Sequence, residues 1–208
     1  MDKAIISTNP AHAAQTFIVF ERFAKWQGFW GPLFRIGACE HQDDIRSIAA
    51  VARTLAAQAE LAVPDGKDWV VDVDVPHADV ARVTIHLGNT DDYEEACAIF
   101  DALLGASPKD VPKAPSKALC ANLGHSESGV LEPELLLSAH EMGRREVLAA
   151  AHLVALEVER ATPRQEGWRV FTRELCEGRA VVYLELRRRG DGAEAARAMS
   201  VLRAVARQ

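Results

Sequence analysis

Two stretches of this chain carry the same order of hydrophobic and polar positions. In the first, Ile45, Ile48, Ala49, Ala52, Leu55, Ala56 and Ala59 recur at helical spacing. That stripe predicts an amphipathic helix over residues 42–63, with Asp43 and Asp44 in its first turn, ended by Pro64-Asp65-Gly66. The period then changes. Trp69, Val71, Val73 and Val75 alternate with Val70, Asp72 and Asp74, and Val83, Ile85 and Leu87 alternate with Arg82, Thr84 and His86. Alternation by two predicts a hairpin, residues 69–75 and 81–87, with one buried and one wet face. A closing helix is predicted over residues 91–104, with Ala96, Ile99, Phe100 and Leu103 on its apolar side.

The same cycle recurs at a fixed offset of 99 residues. Helix is predicted over 141–161, a hairpin over 167–175 and 179–186, and a closing helix over 191–207. About 15 of about 60 aligned positions are identical without a gap, and a fixed-offset match of this kind marks an internal duplication. Pro64 falls on Pro163, Trp69 on Trp168, Val71 on Val170, Val83 on Val182 and Leu87 on Leu186. Asp92, Glu95 and Ala96 fall on Asp191, Glu194 and Ala195. The shared positions are apolar or punctuating; the outward ones differ.

Elsewhere the pattern is weaker. Residues 3–7 read as a short strand. Asn9-Pro10 resembles a helix start, and Phe17, Phe20, Phe23 and Trp26 recur every three residues. Together these predict a helix over 10–27, stopped at Gly28. The aromatic, turn-rich segment 26–32 reads as a lid over one end of the core, with a binding platform as the alternative. Short strands are predicted at 33–38 and 135–138. Residues 105–115, with Pro108, Pro112 and Pro115, read as a linker. The expected organisation is a first α+β repeat over 1–104 carrying the extra aromatic segment, the linker 105–115, and a second repeat over 116–208. Each repeat would be a small antiparallel sheet with helices on one face, ferredoxin-like or related.

Composition narrows the setting. The 208 residues are 49% hydrophobic and 26% charged, an ordinary balance for a globular chain. No apolar run approaches the roughly 18 residues of a membrane span. The first dozen residues lack a leader layout. Cys39, Cys97, Cys120 and Cys176 have no paired spacing and are not shared between the repeats, so free thiols in a reducing cytoplasm are expected. The formal charge is −6, spread unevenly: roughly −8 in the first half and roughly +2 in the second.

The candidate chemistry is sparse. Asp72 and Asp74 share a strand face, but no phosphate-cradling loop or third acid accompanies them, and Arg173 stands where the second repeat would need Asp74's counterpart. A solvated face, with Asp68 beside it and cross-strand pairing to Arg82 or His86, is the expected reading. His41 and His140 coincide under the offset. They suggest either caps or a low-ranking ligand pocket between the repeats. Arg169, Phe171 and Arg173 alternate outward on one strand and Val181, Tyr183 and Glu185 on the next. That mixture suits a protein interface or, less readily in an acidic chain, stacked bases. No nucleophile elbow, phosphate loop or dinucleotide fingerprint is present, so no catalytic residue, metal or cofactor is assigned. The reading that follows is a non-catalytic cytoplasmic module that binds a protein partner, such as an inhibitor, immunity-type or adaptor protein. Its alternatives are a small-molecule enzyme or sensor with a site between the repeats, and single-stranded nucleic-acid binding on the second hairpin. No membrane partner is expected, nucleic acid ranks behind protein as a partner, and self-association is compatible with this reading.

Overall fold

The computed structural model describes residues 3–7, 16–26, 29–38, 45–63, 70–77, 80–86, 119–125, 131–138, 142–176, 179–188 and 191–207. Backbone contacts divide the chain into two compact units, Met1–Val111 and Pro112–Gln208. The architecture is α+β, with antiparallel sheets and three helices among the described residues.

In the first unit, strands β1 (Lys3–Ser7), β2 (Thr16–Trp26) and β3 (Phe29–Ala38) precede helix α1 (Ile45–Ala62), and β4 (Val70–His77) and β5 (Val80–His86) follow it. The sheet order is β1-β2-β3-β5-β4, and every pairing is antiparallel. Helix α1 lies against β3, β4 and β5. Its alanines at 52, 56 and 59 are fully buried, so the helix backbone approaches the sheet closely.

One expectation fails here. Residues 16–26 form a strand, not part of a helix over 10–27. The run Thr16-Phe17-Ile18-Val19-Phe20 is β-branched and aromatic, which favours a pleated backbone. The aromatics at every third residue imitate a helical stripe; the pairing register runs unbroken through Phe17 and Phe20 and shifts only between Glu21 and Ala24, where a bulge breaks strict alternation. The strand expected at 33–38 starts earlier, at Phe29. The segment read as a turn-rich lid is therefore largely strand. The closing helix expected at 91–104 and the linker at 105–115 lie outside the described residues.

In the second unit, β6 (Leu119–His125) and β7 (Leu131–Ser138) form a hairpin. Helix α2 (Arg144–Ala161) follows, then a 3-10 turn (Arg164–Glu166), β8 (Arg169–Cys176), β9 (Arg179–Glu185) and helix α3 (Gly192–Ala206). The sheet order is β6-β7-β9-β8, antiparallel throughout. Strand β6 was not foreseen, and β7 begins four residues before the expected 135. Pro133 has no N–H to donate to a ladder. The register shows how it is accommodated: Pro133 pairs with Leu123 of β6, while pairing of β7 with β9 starts at Glu134.

Both helices lie on one face of this sheet, α2 against β7, β8 and β9, and α3 against β6 and β7. Val147, Ala150, Ala151, Val154, Ala155 and Val158 of α2 meet Leu135, Leu137, Val170, Ala180, Val182 and Leu184, with Ala198, Met199 and Leu202 of α3 completing the core. The helix ends follow local chemistry. The Gly143 amide donates to Glu146 Oε2 at 2.9 Å at the start of α2. Thr162 Oγ1 donates to the Val158 carbonyl at its end, and Pro163 prevents continuation. Asp191 caps α3 by accepting from the Ala193 and Glu194 amides. No helix among the described residues is long and apolar enough to cross a membrane.

Candidate functional site

The feature that stands out is on the face of the second sheet opposite the helices. β8 is an edge strand, and its residues alternate: Val170 is buried, whereas Arg169 and Arg173 are exposed. Phe171 pairs directly with Tyr183 of β9, Arg169 with Glu185 and Arg173 with Val181. Three contacts join this row. The Phe171 and Tyr183 rings stack with centroids 5.4 Å apart and planes 20° from parallel. The Arg169 guanidinium lies 4.9 Å from the Phe171 centroid, and that of Arg173 lies 5.3 Å from the Tyr183 centroid. The four side chains the sequence singled out therefore form one continuous cation–aromatic row. Cross-strand aromatic and cation–π pairs of this kind restrict long side chains that would otherwise sample many rotamers.

The two arginines are not alike. Arg169 also reaches Glu185 at 3.6 Å. No ion pair forms between Arg173 and any carboxylate among the described residues. The surroundings are graded in character. Leu175, farther along β8, is 46% exposed. Val181 is fully buried although its register places it on this face, between Arg173 and Leu136. Beyond it, Glu134 of β7 pairs with Tyr183 and Glu132 stands two residues earlier. The Glu134 carboxylate packs over the Gly124 Cα so closely that any β-carbon there would collide with it. Cations therefore line β8 and carboxylates line β7.

The row is held in place by a clasp the sequence analysis did not identify as such. Glu194, in the first turn of α3, is only 3% exposed. It accepts from Trp168 Nε1 at 2.7 Å, from the Arg188 amide at 3.0 Å and from the Arg187 amide at 3.1 Å. Trp168 immediately precedes β8, and Arg187 and Arg188 follow β9. One carboxylate thus ties the start of one strand to the exit of its neighbour. Burial pushes the Glu194 pKa up, but the Trp168 indole and the two backbone donors outweigh it and hold the group below the usual glutamate range. At the other end of β8, Arg144 grips Glu174 through two hydrogen bonds of 2.7 and 2.8 Å.

The remaining candidates fall as follows. In the first unit Asp72 is exposed and pairs in register with Thr84; Asp74 lies opposite Arg82, and Val70 opposite His86. Val70 is 51% exposed. Asp68, His41 and His140 lie outside the described residues. Among the described residues no cluster of three or more His, Cys, Asp or Glu side chains is placed to hold a metal. Cys120 is an exposed free thiol. Buried polar side chains were also missed: Arg53 and Glu60 on α1, and Arg145 and His152 on α2. Arg53 and His152 coincide under the 99-residue offset, and Glu60 coincides with Glu159. A polar residue on a helix reads from sequence as solvated, so the clue lay in their coincidence.

No protein-family model matches the chain, and no curated protein matches its sequence.

Proposed function

We propose that this chain is a non-catalytic cytoplasmic protein-binding module, of the inhibitor, immunity-type or adaptor kind, built from one α+β unit written twice. The cation–aromatic row on β8 and β9 carries this reading. Its charged and aromatic side chains are organised by one another rather than by a reacting centre. Aromatic and arginine side chains on a rigid strand are also the usual anchors of protein interfaces.

The row also favours protein over nucleic acid. Base stacking needs free ring faces. Here Phe171 and Tyr183 cover each other, and each carries a guanidinium.

What supports the duplication is the clasp. Its Glu194 and Trp168, and the α3 cap Asp191, are the counterparts of Glu95, Trp69 and Asp92. The orders β3-β5-β4 and β7-β9-β8 have the same sense, each with its helix between the first and second strands in chain order. The unit is then a relative of the ferredoxin-like arrangement in which the fourth strand, β6, precedes the split β-α-β core.

The test is quantitative capture from the native host with the wild type and with Arg169→Ala/Arg173→Ala. A partner retained by the first and lost from the second is expected. Identical protein sets from both baits would remove the reading.

A further inference from the structure

We infer that the outer row of β8 seats an extended acidic segment of the partner, with carboxylates four residues apart on either side of an apolar residue. This rests on the protein-binding reading and adds the chemistry of what is bound.

The argument starts from spacing. Arg169, Phe171 and Arg173 occupy alternate positions of one strand. The outer two are therefore about 13 Å apart along the strand axis. An extended segment has the same rise and alternation, so acid, apolar and acid at positions i, i+2 and i+4 meet cation, aromatic and cation in step. Edge strands are the part of a sheet that such segments reach, and β8 is an edge.

Charge and preorganisation point the same way. A guanidinium's N–H groups lie in its own plane, directed around its rim. That rim is the part that makes bidentate hydrogen bonds to a carboxylate. The contact with Tyr183, 5.3 Å to the ring centroid, limits the side-chain freedom Arg173 would lose on binding. Arg173 makes no ion pair with a carboxylate among the described residues. Arg169, 54% exposed, lies 3.6 Å from Glu185, so an incoming acid there joins a pair that already exists.

The experiment uses the full chain and a fluorescein-labelled peptide, Ser-Gly-Glu-Thr-Val-Thr-Glu-Gly-Ser, read by anisotropy. Its controls are the same peptide with both Glu replaced by Gln, and an oligothymidine nonamer. Saturable binding of the Glu peptide is expected, weakened about tenfold by Arg173→Gln, with little binding of either control. Circular dichroism checks that the variant remains folded. Tyr183→Leu reads the positioning role separately: it should weaken binding in the wild-type background and add little to Arg173→Gln. Equal binding of the Gln peptide, tighter binding of the oligothymidine, indifference to Arg173→Gln, or no binding of the Glu peptide would each overturn the inference. If capture from the host stays dependent on Arg169 and Arg173 while the Glu peptide fails, the acidic segment falls and the protein-binding reading stands. If capture is indifferent too, both fall.

Discussion

Replacing Trp168 tests whether the clasp at Glu194 organises the second unit. The indole is 8% exposed and belongs to the main core cluster. Truncating a buried tryptophan to alanine costs about 3–5 kcal/mol through lost burial and an incompletely collapsed cavity. Set against total stabilities of about 5–15 kcal/mol, that is a large share of what holds a domain folded. Trp168→Phe is the more informative change. It keeps an aromatic ring in the core but removes the N–H that donates to Glu194 at 2.7 Å. The loss should therefore fall short of the alanine variant's and depend on pH. The Glu194 pKa is lower folded than unfolded. Its contribution is thus present above the usual glutamate value of about 4.3 and is lost as pH falls through the folded pKa. The wild type should lose stability as it is acidified through that range. The gap between wild type and Trp168→Phe should narrow over the same range, because only the packing part of the difference survives protonation. Urea unfolding followed by circular dichroism gives the magnitudes, and hydrogen exchange of α3 peptides assigns them to this unit. A gap between the two proteins that stays constant from pH 7 to pH 3 would refute the reasoning.

Other changes probe the same unit. Gly167 has φ of 64° and closes the turn into β8. Gly167→Ala should cost about 1–2 kcal/mol, because the left-handed conformation penalises a β-carbon and the added atom would sit 3.0 Å from Arg187 Cδ; unchanged urea midpoints would contradict this. A double-mutant cycle of Phe171→Ala and Tyr183→Ala should return a coupling of about 0.5–1.5 kcal/mol, and additive effects would mean the stack does not order the row. Leu202→Ala, at a fully buried site in α3, should cost about 2–5 kcal/mol; a smaller loss would mean the site collapses around the missing atoms.

Much of the second unit was legible from local pattern. The stripe along α2 and the alternation in β8 and β9 each place a full face toward the core, and a one-residue slip would expose it. Asp191 at the start of α3 and Thr162-Pro163 at the end of α2 act within one turn of their own sequence, so punctuation was readable. Strand β2 was misread because its aromatics recur every third residue, a helix-like spacing, and a bulge after Glu21 further breaks the two-residue rhythm. Strand β6 was overlooked because Leu-Cys-Ala-Asn-Leu-Gly-His has little alternation and is stabilised by its partner β7.

The candidate surface divides similarly. That Arg169, Phe171 and Arg173 share a face follows from the strand period alone. That Tyr183 lies directly beneath the row, and not one position away, is a matter of register. Hairpin register depends on turn geometry and on competition for the core, neither of which can be read from the strand itself.

By itself the sequence determined the period of each element, where most of the helices stop, and the two sets of matching positions, because these depend on neighbours a few residues away. Only the tertiary structure decided that Trp168, Arg187, Arg188 and Glu194 share one carboxylate, and that two arginines rest on one aromatic pair. Those contacts join residues of separate elements, and a hydrogen bond or ring contact exists only where packing brings its two groups within a few ångströms.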